Sequence, residues 1–231
     1  MQVGLLRRHA ISALHNRDWK EAEEQFRLAR TSESLSPDVH YLCAMFYFLA
    51  RGRVEEAIEE MAKAIAQDPL NTFWRARQAW FFFCRERFEG SIAEARKGLE
   101  FDNQNYQAHM IIGFSLRSQG KLAEALEEAE EVFRLAPFDS LGRGFLAGLL
   151  AKAGERERAE KLIATMTGAI PIGMMMYHLV CGEVDAAIDW YEKDIELRRP
   201  NGPMIAFAGF IKPLRASPRW PKVARMMNLP E

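Results

Sequence analysis

The chain has 231 residues, of which 48% are apolar and 27% charged, and its formal net charge is −1. That composition belongs to the soluble globular class; it excludes a disordered polyelectrolyte and gives no basic surface for direct nucleic-acid binding by the chain as a whole. The longest apolar run, Tyr41 to Ala50, is about half the ~20 residues that cross a bilayer, so it reads as a buried helix and no membrane role is expected.

Arg7 and Arg8 follow only a short apolar start, which is no secretory signal. Residues 3–32 read as a first, degenerate helix pair, with Trp19, Ala22, Phe26 and Ala29 on one face of its second helix. A polar join, Thr31 to Pro37, follows. Beyond it a unit recurs every 34 residues: Ala57, Ser91, Ala125 and Ala159 form a column of small residues. Gly52, Glu86, Gly120 and Gly154 form a second column, and Pro69, Asn103, Pro137 and Pro171 a third. A period of this size signals a solenoid of helix pairs. The small residue lets the second helix approach the first closely, the glycine permits positive φ at a helix end, and the proline stops the second helix. One pair is too small to bury its apolar faces alone, so the core is completed by stacking on neighbours.

The stretch Tyr106 to Pro137 carries the unit most fully, with Ala108, Gly113, Leu116, Gly120, Leu122, Ala125, Ala129, Phe133 and Pro137 in frame. At these residues the chain resembles the tetratricopeptide repeat family. Residues 38–69 match through Tyr41, Phe48, Gly52, Ala57, Met61, Ala64 and Pro69, while 72–103 and 140–171 match less fully. The resemblance implies an all-α, right-handed superhelical solenoid of about six helix pairs in a single domain. Its repeats are expected at about 3–36, 38–69, 72–103, 106–137, 140–171 and 172–200, with a C-terminal cap over 201–231.

After Pro171 the period slips, because Gly182 lies 28 residues beyond Gly154. The first helix of the sixth pair is therefore expected to be short, with Met174, Met175 and Met176 filling core beside it. Pro200-Asn-Gly-Pro203 then breaks the solenoid, and Met204 to Ile211 is an apolar run of helix length. Ser217-Pro218 reads as an N-cap and first helical residue, which predicts a final helix over about 218–227. This end is basic, with Lys212, Arg215, Arg219, Lys222 and Arg225. Pro213 to Trp220 and Met226 to Pro230 are similar to the close of tetratricopeptide regions at the C-termini of bacterial multidomain regulators. Those regions follow winged-helix, nucleotide-cyclase or serine/threonine kinase domains. That similarity implies a sensory or regulatory region of a bacterial transcription or signalling protein, and with it the question whether Met1 is a true start.

Catalysis has no residues behind it. His9, His15, His40, His109 and His178 are scattered, and no metalloprotease, nucleophile-elbow, phosphate-loop or dinucleotide motif occurs. Gly142 and Gly144 form a Gly-x-Gly in a helical frame, which points to close helix packing. Cys43, Cys84 and Cys181 have an odd count and no metal-ligand spacing, so they are expected as small core residues in a reducing, cytoplasmic compartment. No enzyme activity, cofactor or metal is expected. The acidic second helices, such as Ala123 to Glu131, read as solvated outer faces.

What remains is the inner face. In the repeat family the first helices line a concave groove, and the corresponding positions here are strongly apolar: Leu42 and Phe46; Phe73, Trp80 and Phe83; then Gln107, Met110, Phe114 and Arg117. Contiguous apolar surface of this kind marks a binding site. Three arrangements satisfy it. A partner protein or peptide segment inserts apolar side chains, with Arg117 as a rim donor; or the chain's own Met204–Ile211 folds into the groove; or tight curvature buries these residues between adjacent first helices. A chaperone-type carboxylate clamp is absent, since its places hold Leu42, Phe46, Ala76 and Trp80. Aromatic grooves also self-associate, which makes a homodimer a further expectation.

Overall fold

A computed structural model describes residues 16, 18–29, 35–166, 171–197 and 205–229, and among them there are helices and turns but no strand. The expected first helix of the first pair lies outside the described residues. Its second helix is α1 (Trp19–Ala29). Four complete pairs follow. α2 (Pro37–Leu42) continues through a π-helical stretch (Cys43–Phe48) and a 3-10 turn (Leu49–Arg51) and pairs with α3 (Val54–Gln67). Next come α4 (Thr72–Cys84) with α5 (Phe88–Leu99), and α6 (Tyr106–Ser118) with α7 (Leu122–Leu135). The fourth is α8 (Ser140–Lys152) with α9 (Arg156–Ala164). α10 (Pro171–Cys181) and α11 (Val184–Glu196) complete the stack.

The repeated residues set the repeated geometry. Each first helix closes on a left-handed residue: φ is +71° at Gly52, +79° at Gly120, +87° at Gly154 and +88° at Gly182, and Glu86 occupies the same place at +57°. The residue after it donates its amide back five positions, as Arg53 does to Phe48 O at 2.8 Å and Lys121 to Leu116 O at 2.9 Å. This satisfies carbonyls that the helix end would otherwise orphan. Entry into the first helices is capped by side chains: Asn71 accepts from Phe73 and Trp74 N, Asn105 from Ala108 N, and Asp139 from Gly142 N. Ala57, Ser91, Ala125, Ala159 and Ala187 are all buried at the crossing of the two helices, where only small side chains fit.

A second, polar column ties three of the pairs together. The fourth residue of a first helix meets the seventh of its partner: His40 Nδ1 lies 2.7 Å from Glu60, Arg75 donates to Glu94 at 2.9 Å, and His109 Nδ1 lies 2.7 Å from Glu128. The acidic second helices are therefore not wholly solvated faces. Glu60 and Glu94 are buried and Glu128 half-buried, each meeting a basic side chain of the preceding helix.

The glycines of α8 are where first helices come closest. A Cβ on Gly144 would stand 2.0 Å from Gly173 O, and one on Gly148 only 2.5 Å from Val180 Cβ. α10 is short, as expected, and Met174, Met175 and Met176 on it are buried.

The C-terminal part departs from expectation in detail. Met204 itself is outside the described residues, and the rest of the run is no single helix: Ile205 to Ala208 turn, Gly209–Ile211 is a 3-10 turn, and α12 (Lys212–Arg215) is one helical turn. The last helix, α13, spans Trp220–Met226. Pro218 precedes it, Ser217 Oγ accepts from Arg219 N in the turn before it, and Pro221 takes the early helical position. Three basic residues of this end are paired internally. Arg219 pairs with Asp189 at 2.7 Å and Glu192 at 3.2 Å, Lys222 with Glu192 at 2.7 Å, and Lys212 with Glu86 at 2.7 Å. Trp19 Nε1 donates to Met227 O at 3.3 Å, so the last helix meets the first described one.

Candidate functional site

The nine inner-face residues divide into three environments. Phe83 and Phe114 are fully buried, and Trp80 is 7% exposed. Their rings form one cluster with Phe210, whose centroid lies 5.9 Å from Trp80, 6.0 Å from Phe83 and 5.1 Å from Phe114. The occupant of this part of the groove is the chain's own segment. Phe207 reinforces it by packing on Gly52, where a Cβ would sit 2.9 Å from the ring. Arg215 Nη1 donates to Ala206 O and Ala208 O and so braces the turn that presents Phe210.

Leu42 is buried, and Phe46 and Phe73 flank Tyr41 at 6.2 and 5.1 Å between centroids. Arg117 donates to Val180 O at 3.2 Å, tying α6 to α10. Burial pushes its guanidinium below the ordinary arginine value.

The third environment is open. A cavity of about 260 Å³ is walled by the apolar side chains of Met45, Trp80, Met110, Ile111, Leu141 and Ile172, with Ile205 at the C-terminal segment's edge. Arg77, Tyr106, Gln107 and Asp139 supply its polar lining. Trp80 is the partition: one side meets Phe210, the other the cavity. Asp139 is engaged by Gly142 N at 2.7 Å, and its burial raises the carboxyl above the usual range. Arg77 and Asp139 are the residues that inner-face periodicity alone missed. Arg77 lies between the inward positions 76 and 80, and the signal available was its charge, the single one in the stretch Ala76 to Phe83.

Among the described residues the histidines and cysteines make no catalytic set. His178 Nδ1 lies 2.6 Å from Glu183, His40 and His109 serve the helix-pair column, and Cys43, Cys84 and Cys181 form no disulfide. Burial raises the Cys84 and Cys181 thiols, which leaves them poor nucleophiles. Among the described residues no helix is long and apolar enough to cross a membrane.

Comparison with known proteins agrees with this architecture. A tetratricopeptide repeat family model matches residues 7–72. A solved structure of PilF from Pseudomonas aeruginosa superposes with a TM-score of 0.63 at 20% identity, over 85% of this chain and 91% of that one. MamA (residues 41 to the end) from Desulfovibrio magneticus RS-1 gives 0.56 at 13% identity, over 71% and 92%. No curated protein matches the chain in sequence. The fold is therefore that of the tetratricopeptide repeat proteins, an all-helical superhelical solenoid.

Proposed function

We propose that the protein is a non-catalytic interaction scaffold that takes an apolar side chain of a partner protein segment in the cavity between Trp80, Met110 and Ile172. Repeats of this kind generally serve protein–protein binding, and the observation that carries the reading here is the open, largely apolar cavity on an inner face whose aromatic cluster is filled by Phe210. A partner anchor entering there would desolvate Met110 and Trp80 and place its backbone beside the Gln107 amide, the pattern of an interface hot spot. The cytoplasm is the compartment that suits its free thiols.

A second reading makes the chain the regulatory C-terminal region of a bacterial transcription or signalling protein. It is supported by the Pro213–Trp220 and Met226–Pro230 ending and by a groove whose own segment can compete with a ligand. Both readings use the same cavity, and self-association through it would give a homodimer.

The test is affinity capture from native lysate with wild type and Met110→Trp in parallel, with Leu122→Ser on the outer face as control. Leu122 is 47% exposed. A protein retained by wild type and Leu122→Ser but lost by a folded Met110→Trp is the expected result. Equal retention by all three would contradict the proposal.

A further inference from the structure

Arg77 is the one arginine on the wall of the open cavity, and its charge has no counter-ion. Its guanidinium carbon sits 4.7 Å from the Phe73 ring centroid, and no ion pair or hydrogen bond holds it among the described residues. Its Nε is buried with no acceptor. The other cation of α4 differs: Arg75, on the face turned to α5, is held by Glu94 and by Pro69 O. The carboxylate on the cavity wall, Asp139, is committed to the start of α8. Burial holds the Arg77 guanidinium below the ordinary arginine value, with Tyr41 and Tyr106 the charge-stabilising groups nearby. A half-buried guanidinium whose Nε has no acceptor is poorly solvated, and a bound anion removes that cost while gaining charge-assisted hydrogen bonds.

The shape of the space restricts the anion. The groove beyond Trp80 is blocked by Phe210, and Ile205 stands on the cavity's rim. A long extended chain cannot run through, so the occupant is short. Apart from Tyr106 and Gln107 the remaining walls are apolar, and at about 260 Å³ the space is near the lower end of small-molecule sites.

We infer that this cavity binds a small amphiphilic carboxylate, an acid with a medium-length aliphatic body, whose carboxylate meets Arg77 and whose tail lies among Met45, Met110, Leu141 and Ile172. Such a ligand occupies the space that a partner's side chain would enter, and so acts as an effector of the scaffold. The binding itself does not depend on the partner reading; only the competition does.

Isothermal titration of the full chain with octanoate, octanol and octylamine tests the inference. Saturable one-to-one binding of octanoate is expected, with octanol and octylamine weaker by about tenfold or more, the value of a charge-assisted bond. Arg77→Met should bring octanoate and octanol to equal affinity, and Met110→Trp should abolish binding of all three. Circular dichroism checks that the variants fold. Should Arg77→Met not fold, the wild-type comparison of acid with alcohol decides alone. The inference is overturned by no saturable octanoate binding, by equal wild-type affinity for acid and alcohol, or by a folded Arg77→Met that still prefers the acid. None of these results bears on whether Met110→Trp loses a captured partner, so the two proposals fail separately.

Discussion

His109 shows how a single residue couples solution conditions to the repeat. Both of its ring nitrogens face oxygens, Nδ1 at 2.7 Å from Glu128 and Nε2 at 3.2 Å from Asn103 O. Only the imidazolium can donate to both. The hydrogen bond to Glu128 is the largest cause raising its pKa above the usual histidine value, with Asn103 O and the nearby Glu131 acting in the same direction. A raised folded value means that the contribution to stability is complete below the unfolded value of about 6.5 and is lost as pH rises through the folded one. Urea unfolding should therefore show wild type losing stability relative to His109→Gln between about pH 6 and pH 8. A constant difference across that range would show that the pair is not charged in the native state.

At the scale of the helix, contact between α8 and α10 depends on having no side chain at all. Gly144 faces the Gly173 carbonyl, a backbone group that cannot swing aside, so Gly144→Ala must push the helices apart. A loss of about 3 kcal/mol or more is expected, in the range reserved for overpacked cores. Gly90→Ala is the counterpart: it lies in α5, where a Cβ would meet only Phe82 Cδ2 at 3.9 Å. It should stabilise by about 0.5–1 kcal/mol through helix propensity. Chemical denaturation of the two variants reads both effects, and a Gly144→Ala protein as stable as wild type would mean that the close approach is not real.

These elements were the legible part of the chain. The turn glycines, the small crossing residues and the terminating prolines recur at 34 residues because each does one local job, and local jobs leave local signatures. Even Glu86 could be placed at a left-handed turn by its column. The helix-pair ion pairs could have been found in the same way, since Glu60, Glu94 and Glu128 keep the period. What periodicity cannot say is which apolar surface covers another. Trp80, Phe83 and Phe114 read as exposed groove residues because their partner, Phe210, lies outside the repeat frame, and the run from Met204 carries no period to fix its path. Arg77 escaped because an inward-pointing cation breaks the apolar pattern used to define the inner face.

For the whole molecule, the C-terminal segment is both lid and filler. It joins α11 and α13 through Arg219 and Lys222, reaches the turn before α5 through Lys212, and brings Met227 to Trp19. Most of these ion pairs are exposed and individually weak, so the apolar contact of Phe210 dominates the attachment. Phe210→Ala should cost about 3–5 kcal/mol if the segment stays docked and leaves a void. A cost under about 1 kcal/mol, together with new binding of a hydrophobic dye, would show a segment that detaches readily and an aromatic groove that can be exposed. Thermal melts with and without dye separate the two outcomes.

The proposed point of partner entry is the cavity bounded by Trp80 and Met110. Methyl NMR of the methionines, recorded while the captured partner is added, tests it most directly. Met45 and Met110 line the cavity, whereas Met175 is buried elsewhere in the core. The account predicts that the Met45 and Met110 methyl signals shift in proportion to occupancy while Met175 stays in place. Partner binding that leaves Met45 and Met110 unmoved would contradict it and transfer the site to another face of the solenoid.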